Sequence, residues 1–129
     1  QNTGDEALRI YIIDDDWDMV QYVTALLESA GHEVHSGVSG VSNLPKIVAR
    51  KPDAILVDLV MAEMDGIELV GQLRAKKELA NTKIIMVTSK DHSHWRSQAE
   101  EAGVDGYITK PLDETTFATE VEAIVGTEA

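Results

Sequence analysis

Short apolar runs alternate with stretches of helical periodicity along almost the whole chain. Five runs predict strands, and they are Leu8–Ile13, Glu33–His35 (the weakest), Ala54–Leu59, Lys83–Val87 and Gly106–Thr109. The stretches between and after them predict helices at about Asp18–Ser29, Val41–Arg50, Gly66–Lys77, Ser93–Ala102 and Asp113–Val125. This alternation favours an α/β fold, in which helices cover both faces of a parallel sheet.

Glycine, proline and aspartate residues mark several boundaries of these elements. Gly31 is a suitable stop for the first helix and Gly103 for the fourth, while Asp113 is predicted to be the N-cap of the last. Gly40 and Pro45 disfavour the start of the second helix. The second helix is therefore the weakest of the helix predictions.

Polar residues stand where four of the apolar runs end. Asp14 and Asp15 follow the first run, and Asp58 interrupts the third. Thr88 follows the fourth run and Lys110 the fifth. Because the carboxyl ends of parallel strands share one edge of a sheet, we expect these side chains to converge in the crevice there. Carboxylates, a hydroxyl and an ammonium can hold a divalent cation and a phosphoryl group together, which indicates phosphoryl transfer onto an aspartate.

The three acids set the chemistry of this predicted site. Two carboxylates 4 Å apart repel by about 1–4 kcal/mol at dielectrics between those of water and a protein surface. A hard divalent cation removes this cost, and oxygen ligands suit Mg²⁺, with Mn²⁺ as a second possibility. Taken alone, Asp14 and Asp15 fit a helix N-cap equally well, and Thr88 and Lys110 are ordinary residues at strand ends. Only the joint pattern is specific.

Five segments carry a resemblance to a known family. They are Arg9–Asp16, Ile55–Asp58, Met64–Gly66, Ile85–Ser89 and Gly106–Pro111. In this order and spacing the chain resembles the receiver domain of the two-component response regulator family, from about Leu8 to Val125. The resemblance implies a flavodoxin-like, doubly wound (βα)5 fold, whose five-stranded parallel sheet has the order 2-1-3-4-5.

The resemblance also assigns roles to the acids. Asp58 would be the phosphorylated residue. Asp14 and Asp15 would hold Mg²⁺, directly or through water, and Asp58 and the backbone carbonyl of Val60 would complete the protein ligands. Lys110 would bridge Asp58 and the phosphoryl group.

A conformational switch is implied in the same way. Thr88 would swing toward the phosphoryl group and Tyr107 would follow by turning inward. That movement would change the surface formed by the fourth helix, the fifth strand and the fifth helix, as a population shift between two states. From sequence alone, Tyr107 is equally well read as a half-buried strand residue. The resemblance further implies a cis peptide bond between Lys110 and Pro111.

Ala62 departs from the usual family pattern, and two further residues occupy positions that affect the lifetime of the phosphate. Ala62 stands where the family usually has proline, which predicts a looser loop after Asp58. Val60 and Lys90 occupy the two positions that flank the path of the hydrolytic water and tune the lifetime of the phosphate. Because the Val60 side chain cannot orient water, we expect slow self-dephosphorylation. Lys90 could instead attract the phosphate or a partner.

Composition narrows the remaining choices. The chain has 129 residues, a net charge of −12, no cysteine and no apolar stretch of membrane-spanning length. We expect a flexible segment over residues 1–7, a receiver domain over 8–126 and a tail over 127–129. The charge argues against direct binding to nucleic acid. We expect a cytoplasmic regulatory domain rather than an enzyme, one that supports its own phosphorylation.

The expected partners follow from the resemblance. They are a sensor histidine kinase or phosphotransfer protein, docking around Met19, Tyr22 and Val23, and a downstream protein target. The chain is expected to be a monomer or a phosphorylation-dependent dimer, without membrane insertion.

Other functions stay open at this point. A degenerate receiver would act by binding alone. Asp16-Trp17-Asp18 matches the start of haloacid-dehalogenase-type phosphatases, with Asp16 as nucleophile. A calcium loop is disfavoured because Met19 takes the place of the required glycine. Zinc binding is disfavoured because the histidine pairs, His32 with His35 and His92 with His94, lack cysteine or a third ligand at a suitable spacing.

Overall fold

The computed structural model describes residues 7–38, 40–61, 64–89 and 93–126. Within these ranges no helix is both long and apolar enough to cross a bilayer. The expectations for residues 1–6, Ala62, Lys90, His92 and the tail 127–129 lie outside the described residues. The predicted domain boundaries at residues 8 and 126 stay predictions.

The strands and helices alternate as the sequence pattern predicts. The strands are β1 (Arg9–Ile13), β2 (Glu33–Gly37), β3 (Ala54–Val57), β4 (Lys83–Thr88) and β5 (Gly106–Thr109). The helices are α1 (Trp17–Ser29), α2 (Gly40–Arg50), α3 (Gly66–Arg74), α4 (Ser93–Ala102) and α5 (Phe117–Val125), with a short 3₁₀ helix at Lys77–Leu79. The strands pair in parallel in the order β2-β1-β3-β4-β5, which confirms the predicted fold class and strand order.

A hydrophobic core lies on each face of the sheet. Alternate residues of the central strands point to opposite faces, so Leu56 packs with α1 and α5 while Ile55 packs with α2, α3 and α4. Since both faces are buried, the strands are continuously apolar, as parallel sheets generally are. The carboxyl edge of the sheet is left for polar side chains.

Two helix boundaries differ from the sequence predictions by more than one residue. Helix α3 ends at Arg74 rather than Lys77, because Lys76 has extended dihedral angles and the chain continues as a 3₁₀ turn. Helix α5 begins at Phe117 rather than after Asp113. The Asp113 carboxylate caps a preceding turn instead, accepting hydrogen bonds from the backbone and hydroxyl of Thr115.

Two elements that the sequence predicts weakly, β2 and α2, are both well formed. Strand β2 extends to Gly37, two residues beyond the predicted end, because it pairs with β1 along its full length. Helix α2 forms with Pro45 inside it. It buries Ile47 completely, and this tertiary packing outweighs the low helix propensity of proline.

Arg74 joins several elements at the edge of the sheet opposite the polar crevice. Its guanidinium donates hydrogen bonds to the backbone carbonyls of Gly103, Leu79 and Thr82 at 2.9–3.1 Å. It also forms an ion pair with Asp105. One side chain therefore ties the end of α3 to the start of β4 and to the turn before β5.

We expect Arg74→Met to lower the free energy of unfolding by about 2–4 kcal/mol, because carbonyls and a carboxylate lose a charged donor. Urea unfolding measures the change. Lys76→Met, which removes a charge from an exposed position two residues away, serves as control and should shift the value by less than about 0.5 kcal/mol. Equal effects of the two changes would contradict the assignment.

Candidate functional site

Four predicted polar residues lie at the carboxyl ends of β1, β3, β4 and β5. Asp14 follows β1 and is 4% exposed, and Asp58 follows β3 and is partly buried. Thr88 ends β4 at 1% exposure, and the backbone N–H of Lys110 donates to its carbonyl at 2.8 Å. The Lys110 ammonium lies 3.4 Å from an Asp14 oxygen and 3.8 Å from an Asp58 oxygen. The structure therefore brings residues from four strand ends into one crevice.

The acids form a compact cluster in this crevice. One carboxylate oxygen from each of Asp14, Asp15 and Asp58 lies within 4.8 Å of the others. Asp14 is buried, Asp58 is intermediate and Asp15 is exposed, so the cluster is closed on the sheet side and open to solvent. Within the part of the chain that the structure describes, it is the one group of three or more potential metal ligands.

The electrostatics of Asp58 reflect this crowding. Burial raises the pKa of its carboxyl above the ordinary value, and the negative charge of Asp14 raises it further. The Lys110 ammonium and the backbone N–H groups of Leu59 and Val60 lower the pKa and only partly offset these effects. The acidic cluster is thus short of positive charge. Its all-oxygen donor set and half-open shape fit a hard divalent cation such as Mg²⁺ or Mn²⁺.

Gly66 shapes the loop that carries Asp58. Its N–H donates to the Leu59 carbonyl at 2.7 Å, and a Cβ at this position would overlap the Asp58 carbonyl oxygen. Asp65 caps α3 by accepting a hydrogen bond from the Glu68 N–H at 2.8 Å. The sequence analysis places Gly66 at the start of a helix and in one of the segments that carry the family resemblance, but gives it no contact with Asp58. Its contact with the Asp58 backbone depends on a tertiary approach that no local pattern encodes.

Asp16 lies beside the acidic cluster but serves a different purpose. Its carboxylate caps α1 by accepting hydrogen bonds from the backbone N–H groups of Asp18 and Met19, at 3.1 and 3.3 Å. Its own N–H donates to Asp14 at 2.9 Å. The carboxylate that the phosphatase hypothesis needs as nucleophile is therefore engaged by the helix N-terminus.

The histidines that the structure describes do not gather into a metal site. His32 is buried, accepts a hydrogen bond from the Leu8 N–H at 3.0 Å and contacts Glu122 at 2.7 Å. His35 contacts Glu33 on the exposed side of β2. These contacts give His32 and His35 structural partners and do not support the zinc hypothesis.

The remaining predicted residues surround the crevice. The Lys110–Pro111 peptide bond is cis, as the resemblance implies. Val60 is 57% exposed. Tyr107 lies in β5 and is partly buried against the core.

The fold and the crevice define a doubly wound α/β domain with an acidic, lysine-bearing site at its switch point. The sequence profile described as "Response regulator receiver domain" matches residues 10–122. The chain therefore belongs to the response regulator receiver domain family, as its motifs indicate.

Individual relatives agree with this assignment. The chain is 32% identical over 117 residues to protein PilH of Pseudomonas aeruginosa, covering 91% of this chain and 97% of PilH. It is 33% identical to the alkaline phosphatase synthesis transcriptional regulatory protein PhoP of Bacillus subtilis, covering 91% of this chain and 48% of PhoP. The chain thus spans about half the length of some relatives. The structure of the chemotaxis response regulator CheY4 of Vibrio cholerae superposes with a TM-score of 0.86 at 25% identity, covering 92% of this chain and 99% of CheY4.

We expect Asp58→Asn to raise the free energy of unfolding by about 1 kcal/mol in buffer containing EDTA. The change removes one of the crowded, partly buried charges while keeping an oxygen that can accept the amide hydrogen bonds. Urea unfolding at neutral pH measures it. Asp53→Asn, on an exposed acid at the opposite edge of the sheet, keeps a side-chain oxygen that can accept from the Arg9 N–H and should have little effect. A destabilised Asp58→Asn would contradict the prediction.

Proposed function

We propose that this chain is a Mg²⁺-dependent phosphoacceptor that receives a phosphoryl group on Asp58 from a histidine kinase or a phosphotransfer protein. The acidic cluster of Asp14, Asp15 and Asp58, with the Lys110 ammonium within 4 Å of two of its members, carries the proposal. A nucleophile, metal ligands and a cation for the phosphoryl oxygens are all within reach of one another. The chain acts as a regulatory domain, and its location is the cytoplasm.

The chemical step needs few groups. An Asp58 carboxylate oxygen attacks the phosphorus of a phosphohistidine, the new P–O bond forms as the P–N bond breaks, and the electron pair stays on the imidazole nitrogen of the donor. Lys110 balances charge on the phosphoryl oxygens, and the Thr88 hydroxyl donates to one of them. Mg²⁺, held by Asp14, Asp15, Asp58 and the Val60 carbonyl, supplies charge neutralisation when bound.

The response is a shift between two conformations. Thr88 moves toward the phosphoryl group, and the side chain of Tyr107 turns inward. Both residues lie where β4 and β5 pair, since Thr88 is opposite Thr109 and Tyr107 is opposite Met86. This short path supports communication between the crevice and the α4–β5–α5 surface, where a downstream protein docks or a second copy pairs.

The donor protein docks beside the crevice on α1. Tyr22 and Trp17 are exposed on this helix, while Met19 is partly buried. Val23, which the sequence analysis placed on this surface, is buried in the core and is not available to a partner. An apolar rim around an acidic crevice suits a donor with apolar side chains near its phosphohistidine.

We expect incubation with acetyl phosphate and Mg²⁺ to add one phosphoryl group to the wild-type chain and none to Asp58→Asn, because only the carboxylate can form the acyl phosphate. Intact-mass spectrometry measures the gain. Asp53→Asn should match the wild type, and EDTA should suppress the gain in both.

Two other results of this experiment would contradict the proposal. No gain in any variant would indicate a degenerate receiver that acts by binding. A gain that survives Asp58→Asn would move the nucleophile to another residue, and Asp16 would be tested next.

We expect the phosphate to be lost slowly, because Val60 at the mouth of the crevice offers no polar group to orient a hydrolytic water. The decay of the phosphorylated mass after removal of acetyl phosphate measures the rate in Mg²⁺ buffer. Val60→Gln, which supplies a polar side chain at the same position, should speed the loss. Decay of the wild-type phosphate within seconds would refute the expectation.

A further inference from the structure

Arg96 of α4 stacks on Tyr107 of β5. The guanidinium carbon lies 4.6 Å from the centre of the Tyr107 ring, a distance at which a cation over an aromatic face is attracted to it. Arg96 and Tyr107 are both partly buried, so the contact is shielded in part from water. This stack joins the helix and the strand of the proposed output surface.

The stack lies in a groove between α4 and β5. Arg96 and Tyr107 line this groove with Glu100, Val104 and Asp105, around a space of about 400 Å³. The ring therefore faces the groove on one side, with the guanidinium over its face, and packs against the core on the other. A movement that takes the ring out of the groove must break the stack.

We propose that Arg96 is a positioning residue for the switch, because its guanidinium holds the Tyr107 ring in the groove and opposes the turn inward. The inference rests on the proposed function, in which phosphorylation of Asp58 moves Tyr107. Arg96 then sets how much of the population occupies the switched state before phosphorylation. Because coupling between sites is reciprocal, a change at Arg96 must change the affinity of the crevice for a phosphoryl mimic.

The groove supports a role for the positive charge as well as the flat shape of the side chain. Glu100 lies one helical turn beyond Arg96, and Asp105 lies two residues before Tyr107. Glu100 lines the same space, and its charge favours a cation there, whereas the charge of Asp105 is already paired with Arg74. A guanidinium meets both requirements, because it is planar and always charged.

The test measures beryllofluoride binding in saturating Mg²⁺ by isothermal titration calorimetry. We expect Arg96→Met and Arg96→Gln to bind the mimic about two- to five-fold more tightly than the wild type, the factor that corresponds to loss of a partly exposed cation–π contact. Lys46→Met, which removes one positive charge from an exposed position on α2, is the control and should bind like the wild type. Either Arg96 variant alone suffices if the other does not fold.

Two variants of Tyr107 distinguish the effect of losing the stack from a general effect of changing α4. In Tyr107→Phe, which keeps the aromatic face, Arg96→Met should still tighten binding. In Tyr107→Leu, which has no aromatic face, the same change should have no effect. An equal effect in both backgrounds, or an unchanged affinity of Arg96→Met in the wild-type background, would overturn the proposal.

Failure of the proposed function has a different signature. If the wild-type chain does not bind beryllofluoride, the phosphoacceptor proposal falls and the positioning role falls with it. If the wild type binds and the Arg96 variants match it, the phosphoacceptor proposal stands and only the role of Arg96 is lost. The NMR shift of the Arg96 Nε proton, compared between the wild type and Tyr107→Leu, reports the stack without any ligand.

Discussion

The crowding of Asp14, Asp15 and Asp58 around one lysine is the constraint on which the rest of the site depends. Lys110 reaches Asp14 and Asp58 but cannot balance three carboxylates. This arrangement lowers the stability of the folded state, since like charges in a half-buried crevice repel more strongly than in water. In the proposed function, a divalent cation neutralises the carboxylates, and the cation and Lys110 together balance the negative charge of the phosphoryl group.

The fold keeps the repelling acids close together by anchoring the loops on which they lie. Asp14 is fixed by the Asp16 N–H, and Asp16 in turn caps α1. The Asp58 loop is held by Gly66, which lets α3 approach its backbone. At the opposite edge of the sheet, Arg74 fastens α3 to the turn before β5. The functional edge thus gains its rigidity from hydrogen bonds in loops and at helix ends.

The sequence predicted the fold and the convergence at the strand ends well, because both follow from local periodicity and from the geometry of parallel sheets. It missed features that depend on tertiary contact. The start of α5 was placed at Asp113 because aspartate favours both helix caps and turns, and only packing around Phe117 decides between them. The stack of Arg96 on Tyr107 was invisible, since neither residue carries a periodic or motif signal that refers to the other.

The path from the crevice to the α4–β5 groove is short and passes through backbone rather than through a chain of side chains. The Lys110 N–H bonds to the Thr88 carbonyl, and Tyr107 pairs with Met86 in the same ladder. In the proposed switch, a shift at the end of β4 is therefore passed to β5 through backbone hydrogen bonds. The ladder is continuous from Ile85 to Thr88, and in the proposed switch the two-state element is a side chain at its margin. The Tyr107 side chain lies between the core and an open groove, where Arg96 stacks on it, and this position fits the proposed switch.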